Sequence, residues 1–179
     1  GTLYTDTAGG TTNLRLGLTA GDSIADGALY NTVVGTNAGT AISTGDGNSF
    51  FGWGAGALTV TTSYNVGIGD GALGANVATG NIAVGSAAAT LNTSGTKLVA
   101  VGTEAARFSE TTVGSTAIGY FALNSLNAAK LTGNNNTAVG SEAGKIVQGT
   151  AHSNTMLGAN SGILTTTGHS NTFIGQDAG

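Results

Sequence analysis

Few side chains in this sequence are equipped for chemistry. Among 179 residues there are nine carboxylates, five basic residues and two histidines, and no cysteine. Glu104, Glu142 and Asp177 occupy equivalent places in a repeated unit, two residues after a recurring glycine. Glycoside hydrolysis needs two carboxyl groups facing one another across a cleft. These three come from alternate units, so stacking puts them about 10 Å apart along one edge. That is the pattern of a solvated edge, and the chain is expected not to be an enzyme. His152 and His169 fall at matching turn positions of adjacent units. A metal ladder needs a third ligand, which the sequence does not provide. The Asp46-Gly-Asn48 turn resembles the start of a calcium loop without its later Glu. No phosphate-cradling or nucleophile-elbow motif occurs, so neither cofactor nor metal is expected. Trp53, Tyr120 and Phe121 follow recurring glycines at outward places, where aromatic rings either stack on sugars or pack chains together. The longest interval between units, around Asn127-Ala-Ala-Lys130, is either a binding loop or a tolerated insertion.

Composition narrows the class further. Only 8% of residues are charged, and the net charge is −4. Arg15, Lys97, Arg107, Lys130 and Lys145 stand far apart, so there is no basic footprint for nucleic acid. Glycines interrupt every apolar stretch short of the ~18 residues of a membrane helix, so no membrane insertion is expected. The 40% hydrophobic content, regularly placed, argues against disorder. The chain begins at Gly1 and ends inside a repeat at Gly179, and it is expected to be a piece of something longer.

The organising feature is the repeat. Ten glycines, each preceded by a bulky apolar residue, fall at 17, 35, 52, 69, 85, 102, 119, 140, 158 and 175. Their spacings are 18, 17, 17, 16, 17, 17, 21, 18 and 17. The unit is clearest in Asn31-Thr-Val-Val-Gly-Thr-Asn-Ala-Gly39 and Asn136-Thr-Ala-Val-Gly-Ser-Glu-Ala-Gly144. A period near 17 is too short for helix-pair repeats and suits a coil of two short strands and two turns. Gly, Thr and Asn are poor helix formers. Residues 13–179 are therefore expected to form an all-β parallel solenoid, a β-roll or β-helix of about ten coils, with 1–12 a leading segment.

Each column carries its own expectation. Leu16, Val34, Phe51, Ile68, Val84, Val101, Ile118, Val139, Leu157 and Ile174 precede the glycines without exception and are assigned to the buried core column. Three residues after each glycine stands Ala, or Ser161 once, which predicts a close-packed wall. A second apolar set (Ile24, Ile42, Leu58, Val77, Leu91, Phe108, Leu126, Ile146, Leu164) is expected to line the other strand. Asn stands four before the glycine in eight units, with Leu98 and Ser115 in the others, and its amides are expected to bond from coil to coil. The glycine itself implies positive φ or close backbone approach.

Two residues before the glycine, strand alternation points side chains to the opposite face. That column reads Arg15, Val33, Phe50, Gly67, Ala83, Ala100, Ala117, Ala138, Met156 and Phe173. So apolar an outward face predicts burial against other copies of the chain. A Thr column at 32, 116, 137, 155 and 172 raises ice binding. It lies on the face assigned to the core and includes Leu14, Val66, Ile82 and Val99, which argues against that reading.

The Asn-Thr-x-[Val/Ile]-Gly-x-x-Ala-Gly unit resembles the head repeats of trimeric autotransporter adhesins of the YadA type. It is more similar to repeats of phage tail fibres that end in a self-cleaving chaperone domain. Thr165-Thr-Thr-Gly-His-Ser-Asn171 and Ser43-Thr-Gly-Asp-Gly-Asn48 match the spacers of those fibres. The resemblance covers residues 13–179. It implies a left-handed solenoid in a parallel homotrimer, located in the virion and acting in host attachment with other tail or fibre proteins and a surface glycan or protein receptor. A bacterial cell-surface adhesin is the alternative it leaves open. The ~17-residue unit, longer than in the adhesin heads, favours the fibre.

Overall fold

In the computed structural model, residues 3–5, 12–24, 27–125 and 130–179 are described. The chain is an all-β solenoid built on one sheet. Ten three-residue strands, one per coil, pair in parallel and in strict sequence order. They are β2 (Leu14–Leu16), β3 (Thr32–Val34), β4 (Ser49–Phe51), β5 (Val66–Ile68) and β6 (Ile82–Val84), then β7 (Val99–Val101), β8 (Thr116–Ile118), β9 (Thr137–Val139), β10 (Thr155–Leu157) and β11 (Thr172–Ile174). Equivalent residues face one another exactly in register, as Val34, Phe51 and Ile68 do. Within the expected leading segment, β1 (Leu3–Thr5) pairs antiparallel with β2 and covers that edge of the sheet. No helix occurs among the described residues.

The expected second strand does not form. Beyond the anchor glycine the backbone alternates in handedness: the residues two and four places on have positive φ in every coil, as in Asn37 (60°) and Gly39 (53°). Amides along this segment therefore point alternately to the coil before and the coil after. Gly54 N–H donates to Thr36 O (3.0 Å) and Gly56 N–H donates to Ala72 O (2.9 Å). The far wall is thus hydrogen-bonded from coil to coil without strand geometry, apart from isolated bridges linking Ser109, Leu131 and Gly149.

The anchor glycines are required twice over. Their φ values lie between 116° and 138°. A Cβ on Gly102 would stand 2.5 Å from the Gly119 carbonyl oxygen, and every anchor from Gly17 to Gly158 meets the next anchor in the same way. The ten glycines form a seam in which backbones touch, a contact no L side chain permits.

The two faces of the sheet are the reverse of the expectation. Val33, Phe50, Ala83, Ala100, Ala117, Ala138 and Met156 are fully buried. Phe173 packs half-buried against the same core. The column assigned to the core faces out instead. Leu16, Phe51, Ile68, Ile118, Leu157 and Ile174 are exposed, Phe51 at 40% and Leu157 at 47%, and Val34, Val84, Val101 and Val139 are half-buried. The physical reason is strand parity. The Asn column is buried, and residues two apart share a face, so the residue two before the glycine goes inward with Asn. The Ala column is buried as expected from Ala20 to Ala143, with Ser161.

The inward column varies from glycine to phenylalanine because a second position compensates it, six residues later in the same coil. Phe50 is matched by Gly56 and Met156 by Gly162, whereas Gly67 is matched by Leu73 and Ala117 by Leu123. A Cβ on Gly56 would overlap the Phe50 ring, and one on Gly162 would stand 2.6 Å from Met156 Cγ. The second apolar set also needs correction. Leu58, Val77 and Leu164 are exposed, and the inward place is the one seven after the glycine. Ile24 and Ile42 of the expected set do stand there, followed by buried Thr59, Asn76, Asn92 and Ser109 in consecutive coils, and by Val147 further on. Leu126 lies outside the described residues.

Candidate functional site

The carboxylates considered for catalysis are kept apart by the fold. Glu104, Glu142 and Asp177 do share a column, and each is engaged. Glu104 pairs with Arg107 (3.0 Å) and also accepts from the Asn124 amide, while Glu142 pairs with Lys145 (3.0 Å). Asp177 accepts from the Asn160 amide (2.8 Å). Phe121 and Asn160 stand between them in the column, so the three carboxylates do not oppose one another. Glu110 pairs with Lys130 at 2.9 Å.

His152 and His169 stack with ring centroids 4.9 Å apart and planes at 17°. The Thr150 carbonyl, 3.0 Å from His152 Nδ1, can only accept, so that nitrogen carries the hydrogen. His152 borders a shallow groove with Thr132, Gly133, Asn134, Asn135 and Thr150. Among the described residues no three His, Cys, Asp or Glu side chains converge as a metal site would require. No helix among them is long and apolar enough to cross a membrane. In the Asp46 turn, the carboxylate accepts from Leu29 N–H (2.7 Å), binding one coil to the next.

The aromatic candidates split by position. Trp53 and Tyr120 are exposed, one residue after their glycines, and lie four coils or about 19 Å apart. Phe121 is half-buried with φ of 56°, edge-on to Tyr120 at 4.3 Å and under Lys145 at 5.2 Å. They make no common platform. Of the longest interval only Lys130 is described; residues 127–129 lie outside.

What the fold does assemble is a face. The outward columns of β2–β11 run side by side: Leu14, Thr32, Ser49, Val66, Ile82 and their successors in one, and Leu16 through Ile174 in the other. Strand spacing gives a flat strip about 48 Å long, and the five residues from Asn to glycine make it about 17 Å wide. Apart from Thr and one Ser, every side chain on it is aliphatic or Phe. Tyr30, Tyr64 and Lys97 stand on the rim before the strands, each with φ near 60° and exposed; nothing in the sequence pattern singles them out as a group. Leu18, Trp53 and Tyr120 stand on the rim after them.

Beneath the strip runs the asparagine ladder. Asn48 Nδ2 donates to Asn31 Oδ1 (3.0 Å) and to Thr62 O (2.9 Å), and Asn65 donates to Asn48 Oδ1 from both its main-chain and side-chain nitrogens (3.1 Å each). Asn81 Nδ2 donates instead to Asn76 Oδ1 (3.1 Å) and the Gly95 carbonyl (2.8 Å), which Asn92 Nδ2 also reaches, and the side-chain ladder ends at Leu98, whose N–H donates to Asn81 Oδ1 (3.0 Å). It resumes at Asn136, whose N–H donates to Ser115 Oγ (3.2 Å). Fully satisfied buried amides hold the strip in register.

Fold and face together define a parallel β-solenoid with an uncovered apolar sheet. No family model, curated protein or solved structure matches the chain.

Proposed function

We propose that this chain is a structural rod segment of a trimeric fibre of the phage tail-fibre kind, carrying no catalytic activity and supporting host-receptor recognition from within the virion. The observation that carries this reading is the exposed apolar strip. Monomeric proteins seldom leave an apolar patch of this size uncovered. At about 17 by 48 Å it offers roughly 800 Å², the area each partner contributes to a standard stable interface. Its width also suits three chains. Sheets pack about 10 Å apart, so three sheets around one axis each stand about 5 Å from it. A triangle with that inner radius has sides of about 17 Å, the five residues from Asn to glycine. An adhesin head on a bacterial surface would use the same geometry and differ in what flanks the rod.

Light scattering on the purified chain tests the reading. A mass about three times 17.2 kDa is expected. A single-chain mass at micromolar concentration would overturn it. A second reading, an ice-binding solenoid, has one observation in its favour. Thr116, Thr137, Thr155 and Thr172 stand in consecutive coils on the outward face rather than in the core. A monomer showing thermal hysteresis would put that reading first.

A further inference from the structure

Resting on the trimer reading, we infer that the copies meet rim to rim, each coil against the same coil of its neighbour, through size-matched residues on the two sides of the strip. When chains are related by rotation about the rod axis, their strands run head to tail around it. The rim after a strand in one chain then meets the rim before the same strand in the next.

In five of the ten coils an aromatic or lysine on one rim goes with a smaller residue on the other. In the coil of β4 the rim after the strand carries Trp53 and the rim before it carries Gly47; in that of β8 the pair is Tyr120 and Gly114. In the coils of β3, β5 and β7 the bulk is on the other side: Tyr30 with Thr36, Tyr64 with Asp70, Lys97 with Thr103. No described coil places a large aromatic or lysine on both rims. The strip repeats the rule, since Phe51, the largest member of its column, shares β4 with Ser49, the smallest of the other.

Within one chain the two rims do not touch, since they stand six residues apart across an extended strand, about 20 Å. The rim before the strand has left-handed backbone in every coil from Tyr30 onward, where glycine is at ease and other residues are strained. Along this rim a Cβ on Gly47 would stand 3.0 Å from the Tyr64 ring and one on Gly114 would stand 2.7 Å from Asn135 Oδ1, whereas Gly80 has open space. Placing Tyr at 30 and 64 and Lys at 97 costs backbone energy, which bulk on a contact surface offsets.

The chain has no cysteine, so engineered pairs report directly. Tyr30→Cys with Thr36→Cys, and Ser153→Cys with Ala159→Cys, mark the two rims of one coil near each end of the rod. Neither pair can close within a chain, since a disulfide needs Cα atoms within about 7 Å. Tyr30→Cys with Trp53→Cys offsets the pair by one coil. Oxidation of the native-mass particle is expected to give covalently closed trimers from both same-coil pairs, in yields on the order of tenfold above the offset pair. If one same-coil variant fails to fold, the other decides. Particles of trimer mass that link only through the offset pair, or through none, would overturn the rim contact and leave the trimer standing. Same-coil links that close at two chains would keep the contact and remove the trimer.

Discussion

The two faces of the same ten strands obey opposite rules. The inward face tolerates every size from Gly67 to Phe50 and is fully buried from Val33 to Met156. The outward face holds its second column to large aliphatics and Phe in all ten coils and leaves them exposed or half-buried. Inside a coil, two side chains share one cross-section, so a phenylalanine is accommodated by a glycine six residues on. Outside, no second position of the same chain fills the space, and uniformity is what a flat surface meeting other surfaces requires. On the proposed fibre reading, constancy of bulk marks the contact face, and paired variation marks the core.

Adjacent phenylalanines offer the sharpest way to break this comparison. Phe50→Ala empties a fully buried site and is expected to cost about 3–5 kcal/mol, at every protein concentration. Phe51→Ala is expected to cost about 1 kcal/mol in the single chain, with a larger loss of assembly that grows on dilution. Urea denaturation at several concentrations separates the two. Adding Gly56→Leu to Phe50→Ala should recover about half of the loss, because Leu73 already occupies that position with φ of 54° over Gly67. Equal, concentration-independent losses at 50 and 51 would show that both faces are core.

Much of this was legible in the sequence: the ten units, the glycine seam, the alanine wall and the amide ladder. The parity of the strand was assigned the wrong way. A column of ten bulky residues attracts the core assignment, since bulk and burial usually go together. The corrective signal was present. Stacked asparagines are secure only when shielded from water, and Asn31 and Val33 must share a face. Pairing of Phe50 with Gly56 and of Gly67 with Leu73 was a second signal, visible only when units are compared at two positions at once. Tyr30 and Tyr64 went unremarked because a turn position has no periodic neighbour to make it stand out. The far wall was called a strand because its alternating handedness gives a spacing of inward residues close to that of β structure.

The ladder sharpens the comparison from the inward side, since it is polar yet buried. Asn48→Ala removes two donated and two accepted hydrogen bonds and leaves the Asn65 nitrogens without their acceptor. Unpartnered buried groups cost about 1–3 kcal/mol each, and a loss of about 3 kcal/mol is expected in thermal or urea unfolding. At Asn171 the corresponding amide is half-buried and donates to Asn154 Oδ1 alone among side chains, so Asn171→Ala should cost about 1 kcal/mol or less. Similar losses at the two positions would mean that the ladder does not work through buried polar satisfaction.

The smallest expected effects come from near-isosteric changes at neighbouring residues of β7. Ala100→Ser introduces a hydroxyl into a site with no exposure, among alanines and leucines that offer it no side-chain partner. Its expected cost is about 1–2 kcal/mol. Val101→Thr makes the same kind of exchange, methyl for hydroxyl, on the outward face. There water solvates the new group in the single chain, and β3 and β8 to β11 already carry Thr in the adjoining column of that face. The single chain should change by no more than about 0.5 kcal/mol. The proposed trimer should weaken slightly, because the hydroxyl would be desolvated where its three aliphatic surfaces meet. A hydroxyl that is tolerated better at 100 than at 101 would reverse the two faces again, and with them the contact surface on which the fibre reading stands.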